Sequence, residues 1–250
     1  SFAAMARFRE QYPGWPRPNA LAARVERAAV GAEPAAVIAH FRRFPPTSAH
    51  GRWAAARALA ALGDPDTAAA FARTAWQRSS AFTAADEALF LGQFAAALTN
   101  GDHRARLDDL AWRGLAAEIE RTLPLVDADW QRLIEARLWV RTGRYGIDAR
   151  IDAVPAALRR DPGLLYERLR FRRLADNADG AAEILLDPPA ELGDADRWWR
   201  ERRRAFRAAI ADEDHRLAYR LAASHGQRDG IGFADSEWHA GWLALRRLER

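Results

Sequence analysis

Cysteine is absent from all 250 residues, so neither a disulfide nor thiolate chemistry is available to this chain. Lysine is absent too, and the 38 basic residues are all arginine. Arginine stays charged at high pH, so the isoelectric point of 10.2 overstates the basicity. Against 34 acidic residues the net charge is only +4, with the two signs interspersed. A nucleic-acid binder concentrates its basic residues into a footprint. Here Arg200, Arg202, Arg203 and Arg204 form the one dense cluster, interrupted by Glu201. It reads as an exposed helix face, and no nucleic-acid partner is expected. Valine, isoleucine and threonine are scarce, which argues against strands. No apolar run approaches the length of a membrane span, and no signal peptide is visible.

What the chain has instead is alanine, at more than one residue in five, within an apolar fraction of 49%. Alanine is the best helix former, and its small side chain lets helices approach closely. The expected class is all-α. Helix starts recur at short intervals, marked by Thr47 or Ser48, by Asp64-Pro65, by Thr83 with Asp86, by Asp161-Pro162 and by Asp194. Stops follow at Gly31, Gly63, Asn100-Gly101, Gly114, Gly143 and Gly226. Expected core faces include Ala55, Leu59 and Leu62, then Ala68, Phe71 and Ala75 with Trp76 flanking, and Leu164, Phe171 and Leu174. A succession of short-linked helices is the pattern of an α-solenoid. LGDPDTAAAFARTAW resembles half of a tetratricopeptide repeat, but no consensus recurs at a fixed period. No low-complexity linker divides the chain, so residues 1–250 read as a single domain.

The most distinctive segment is Phe233 to Arg250, read as one helix capped by Asp235 or Ser236. Trp238, Trp242 and Leu245 fall on one face of it. Gly241 beside them costs a helix about 1 kcal/mol relative to alanine, which suggests a closely approaching backbone. Glu237 is the acid of most interest, because tryptophans surround it. A structural hydrogen bond or ion pair is its expected role, ahead of proton transfer. Trp198-Trp199 and Trp238/Trp242 are the candidates for sugar stacking, although tryptophan at helical spacing more often packs a core or an interface.

Other chemistry leaves little trace. The six histidines form no HExxH and no pair four apart, so no zinc site is expected. The glycines at 226, 230 and 232 lack the Lys-Ser/Thr of a phosphate loop, GxSxG is absent, and no cofactor is implied.

Several blocks in order resemble the N-terminal superhelical domain of the large soluble lytic transglycosylases, bacterial enzymes that cleave peptidoglycan. They are FPPTSAHGRWAAARALAALGD (Phe44 to Asp64), ADEALFLGQFAAALTNGDHRARLDDLAWRG (Ala85 to Gly114), DPGLLYERLRFRR (Asp161 to Arg173), ILLDPP (Ile184 to Pro189), WWRERRRAFRAAI (Trp198 to Ile210), AYRLAASHG (Ala218 to Gly226) and ADSEWHAGWLALRRL (Ala234 to Leu248). The resemblance implies an irregular right-handed α-superhelix of antiparallel helix hairpins, U- or ring-shaped, in a periplasmic enzyme whose signal peptide has been removed. It also implies a linker and a lysozyme-like catalytic domain after Arg250, holding the catalytic glutamate of a Glu-Ser pair. That acid protonates the glycosidic oxygen between the two amino sugars of the glycan, and a 1,6-anhydro product results.

No residue of this chain maps onto the acid, so no catalytic residue is carried over. The chain then acts as a scaffold and docking surface for the catalytic domain and for glycan, with Trp198, Trp199, Glu237, Trp238 and Trp242 as contact candidates. Peptidoglycan is reached through that domain, and protein partners would use a concave face. The alternative is a free-standing helical-repeat scaffold for protein–protein interaction. A downstream Glu-Ser segment separates the two.

Overall fold

The computed structural model describes residues 1–248, and every regular element among them is helical. Glu249 and Arg250, the last residues of the distinctive segment, lie outside the described residues. The chain forms two compact units, Ser1–Asp127 and Ala128–Arg250. The stretch before the boundary, Leu123 to Asp127, carries no glycine-rich or low-complexity sequence.

The first unit holds α1 (Phe2–Gln11), α2 (Pro18–Ala29), α3 (Pro34–Arg43), α4 (Ala49–Ala61), α5 (Pro65–Gln77), α6 (Ala84–Phe94), α7 (Asn100–Arg113) and α8 (Ala116–Thr122). Polar caps start most of them. Ser48 Oγ accepts from Gly51 N, Asp64 from Thr67 N, and Thr83 and Asp86 form a reciprocal capping box. The expected stop at Asn100-Gly101 is instead a start. Thr99 and Asp102 make a second capping box that opens α7, and α6 already ends at Phe94. Gly114 closes α7 with φ +74, a left-handed conformation that disfavours other residues.

Two apolar clusters fill this unit. One joins Phe2, Val25, Val37 and Phe41 to alanines of α4. The other sets Trp76 in a stack on Phe90, with centroids 5.4 Å apart, and Trp53 edge-on to the same ring. Trp76 is thus central, where a flanking place was expected. Leu62 is exposed instead of buried, because α4 turns its alanines and Trp53 inward.

Buried charge supplies the rest of the cohesion. Glu26 is wholly buried in α2, and its carboxylate accepts from Thr47 N and Oγ1 (both 3.0 Å) and from Ser48 N (2.7 Å), at the start of α4. A negative group at a helix N-terminus is favoured by the helix dipole. Arg106 of α7 donates to Glu87 of α6, to Thr122 Oγ1 and to the Ser79 carbonyl, and its guanidinium lies 4.1 Å from the Trp76 ring centroid. Burial pushes it down to about 10, so it remains a cation at neutral pH. Arg121 completes the cluster on Glu87 at 2.6 Å.

The second unit holds α9 (Ala128–Thr142), α10 (Ile147–Asp152), α11 (Pro162–Leu174), α12 (Ala178–Leu186), α13 (Ala195–Ala211), α14 (His215–Ala223) and α15 (Gly230–Arg247). Leu133, Val140, Val154 and Leu164 form a core between α9, α10 and α11. Leu174 is exposed at the end of α11, where a core place was expected. The arginine cluster is not a wholly exposed face either. Arg202 is buried and donates to Leu185 O (2.6 Å) and Leu221 O (2.7 Å), in the last turns of α12 and α14. A cation at two helix C-termini is again the sign the dipoles favour. Burial lowers Arg202 to about 10.

Two consequences are measurable. A Cβ at Gly51 would overlap the Glu26 carboxylate, which cannot move without losing its three bonds. Gly51→Ala should therefore cost roughly 2 kcal/mol or more in urea unfolding, and an unchanged midpoint would contradict this packing. The second concerns pH. Burial holds His40, His50 and His103 below the ordinary 6.5, with Arg9, Arg27 and Arg106 respectively adding to it. The unfolded chain then takes up protons first, so stability is full above about pH 6.5 and falls as pH drops below it. Asp86 and Asp102 are also lowered: burial opposes this, but hydrogen bonds from Thr83 and Thr99 outweigh it, so their loss begins only below 3.8. The Tm should drop between about pH 7.5 and 5.5, well before carboxylates titrate. A flat Tm over that range would contradict the burial of these imidazoles.

Candidate functional site

α15 is the element on which the candidate residues converge, and its start differs from expectation. The helix begins at Gly230, following Asp229, so Asp235 and Ser236 are interior positions and cap nothing. Its buried stripe is Gly232, Ser236, Ala240 and Leu243. Three of these are small, which permits close packing against α14. The tryptophan face points the other way. Trp238 is 62% exposed, Leu245 is 72% exposed and Trp242 is half-buried.

The exposed face has internal order. The Trp238 and Trp242 rings are nearly parallel, at 6° with centroids 6.3 Å apart. Trp238 stands edge-on to His239 (4.8 Å, 84°), and His239 packs on Phe206 of α13 at 4.6 Å. His239 Nδ1 lies 2.7 Å from the Asp235 carbonyl oxygen, which fixes the imidazole. Arg247 approaches the Trp242 ring at 5.6 Å. Glu237, Trp238, Gly241, Trp242, Leu245 and Arg246 line a shallow groove of about 380 Å³. A Cβ at Gly241 would meet nothing within 4 Å. The closely approaching backbone expected at Gly241 is therefore not found among the described residues.

Glu237 is tied down. The Gln227 amide donates to His225 Nδ1 (3.0 Å), so the ring proton sits on Nε2, which donates to Glu237 Oε1 (2.9 Å). The carboxylate is thus an acceptor that links α15 to the preceding loop. This is the structural hydrogen bond that the sequence favoured. Its partner His225 was not singled out in the sequence. The available signal was a histidine twelve residues before the acid, flanking a glycine turn.

The remaining candidates lie on α13 and do not join the groove. Trp198 is 1% exposed and packs edge-on to Tyr166 at 6.1 Å, so neither face of its indole is open to a sugar. Trp199 is half-buried beneath the Arg203 guanidinium, 5.2 Å from its centroid. Among the described residues no group of three or more His, Cys, Asp or Glu side chains could hold a metal ion, and no helix is long and apolar enough to cross a membrane. Comparison of the chain with protein families, with curated proteins and with solved structures finds no match.

The two kinds of tryptophan should behave oppositely. Trp238→Ala removes an exposed ring and should shift stability by no more than about 0.5 kcal/mol, and Trp242→Ala, at a half-buried ring, by about 1 kcal/mol. Trp198→Ala leaves a core cavity and should cost about 3–5 kcal/mol. Urea titrations of the three variants decide this, and equal losses would contradict the outward orientation of α15.

Proposed function

We propose that the chain is the non-catalytic superhelical domain of a lytic transglycosylase that works in the periplasm. In this reading the helices continue as an irregular right-handed solenoid and frame a lysozyme-like module encoded after Arg250. The chain supplies the docking surface and no catalytic acid. The open face of α15 is the contact surface for that module and for glycan, because two parallel indoles present flat apolar area beside a carboxylate and a guanidinium.

The observation that supports the reading is where the family-like blocks fall. Phe44 to Asp64 contains Thr47 and Ser48, which receive Glu26. Ala85 to Gly114 contains Glu87 and Arg106. Ile184 to Pro189, Trp198 to Ile210 and Ala218 to Gly226 contribute Leu185, Arg202 and Leu221 to a single joint. Five of the seven resembling segments thus contribute a group to these buried polar joints, and shared blocks of that kind would carry a shared architecture.

The test combines the gene and the protein. The reading frame beyond Arg250 should encode a lysozyme-like segment with a Glu-Ser pair. The joined protein should release 1,6-anhydro-muropeptides from peptidoglycan sacculi, and this chain alone should release none. A frame with no such segment, or anhydro products from this chain by itself, would overturn the proposal.

A further inference from the structure

A second groove, separate from the α15 face, lies among α11, α12, α13 and α14 within the second unit. It encloses about 390 Å³. Leu169, Leu185 and Leu221 are buried along it, and its sides are largely alanine: Ala181 and Ala182 of α12, Ala205 and Ala208 of α13. Larger apolar side chains at the alanine positions would fill this space from within. The groove follows α13 from Glu201 to Asp212, a run of roughly 16 Å at about 1.5 Å per residue. That length suits about three turns of a helix better than a compact small molecule.

Charge sets the chemistry of the occupant. Four carboxylates line the groove, Asp179, Glu201, Asp212 and Asp214, against two guanidinium groups, Arg173 and Arg204. Both arginines are already engaged by Glu201, at 2.6 and 2.8 Å. Asp214 accepts from Leu217 N as the cap of α14. Asp179 and Asp212 have no ion-pair partner among the described residues. Asp212 also sits at the C-terminal end of α13, where the helix dipole disfavours a negative charge. An arginine or lysine brought in by a partner would relieve it. The lining is therefore acidic in a chain whose net charge is +4.

We propose that this groove binds a basic amphipathic helix of a protein partner. The partner lays small or apolar residues at i, i+3, i+4 and i+7 along the alanine walls, and its basic residues meet Asp179 and Asp212. The site stands whether or not the chain serves a glycan-cleaving enzyme.

The probe is a fluorescein-labelled helical peptide of about 12 residues, with leucine and alanine at those spacings and arginine on the flanks. Two control peptides accompany it, one with glutamate in place of arginine and one with the same composition scrambled. Fluorescence polarisation should show micromolar binding of the arginine peptide, and neither control should bind. Asp179→Lys combined with Asp212→Lys, and separately Ala208→Trp, should each weaken binding roughly tenfold or more. Ala208 is exposed, so the tryptophan should fill the groove without unfolding the chain; circular dichroism checks this, and Ala208→Leu serves if the larger residue misfolds. Trp238→Ala should leave the affinity unchanged. Absence of binding, equal binding of the scrambled peptide, or insensitivity to the Asp179/Asp212 or Ala208 variants would overturn the proposal. Saturable binding of octylamine without binding of the peptide would overturn it as well, since the occupant would then be a small cation.

Discussion

Buried charge placed against the ends of neighbouring helices is the constraint on which the rest of this structure depends. Glu26 meets the Thr47 and Ser48 amides at the N-cap of α4, and Arg202 meets carbonyls in the last turns of both α12 and α14. In each case the sign opposes the partial charge of the helix end it touches. Arg106 does related work by joining α6, α7 and the segment after α5. A buried ion is costly unless its lone pairs or protons are satisfied. Here the helix ends take up most of that demand: Glu26 accepts three hydrogen bonds and Arg202 donates through both terminal nitrogens, while its buried Nε has no partner among the described residues. The ion in turn satisfies backbone groups that would otherwise be orphans.

This arrangement suits an alanine-rich chain. Alanine faces allow close approach, but each buries little apolar area and specifies neither register nor angle. The joints supply what alanine cannot: a directional contact that fits only when two helix ends arrive together. Gly51 shows how tightly the pieces meet, since even a methyl group there would displace Glu26. The alanine-lined groove among α11 to α14 is the complement of the same economy, a place where small side chains leave space unfilled.

The all-helical class was legible in the sequence, as were most helix starts, because capping side chains act locally. The errors share a cause. Asn100-Gly101 reads as a stop by composition, yet the Thr99/Asp102 box immediately around it makes a start. On α15, hydrophobicity ranks the tryptophans above Gly232, Ser236 and Ala240, although packing buries the small residues and leaves the indoles out. Arg202 looked like its exposed neighbours Arg200 and Arg204, because its partners are carbonyls of distant helices. Glu26 could have been suspected, since it sits beside Val25 on the apolar stripe of α2. Of the candidate site, the pairing of Trp238 with Trp242 was foreseeable at helical spacing, and a structural role for Glu237 was expected without its partner, because His225 lies in the loop before the helix. The burial of Trp198 was not, because i and i+1 positions on one helix give no hint of which faces inward.

The most direct measurement is the unfolding free energy of Arg202→Met, in which a flexible, unbranched apolar side chain replaces the arginine and its guanidinium. Two helix-end carbonyls then lose their donor, and a loss of about 3 kcal/mol is expected for the second unit. A methionine variant as stable as the parent, or more stable, would show that apolar packing alone holds these helices. The joints would then be incidental to the fold.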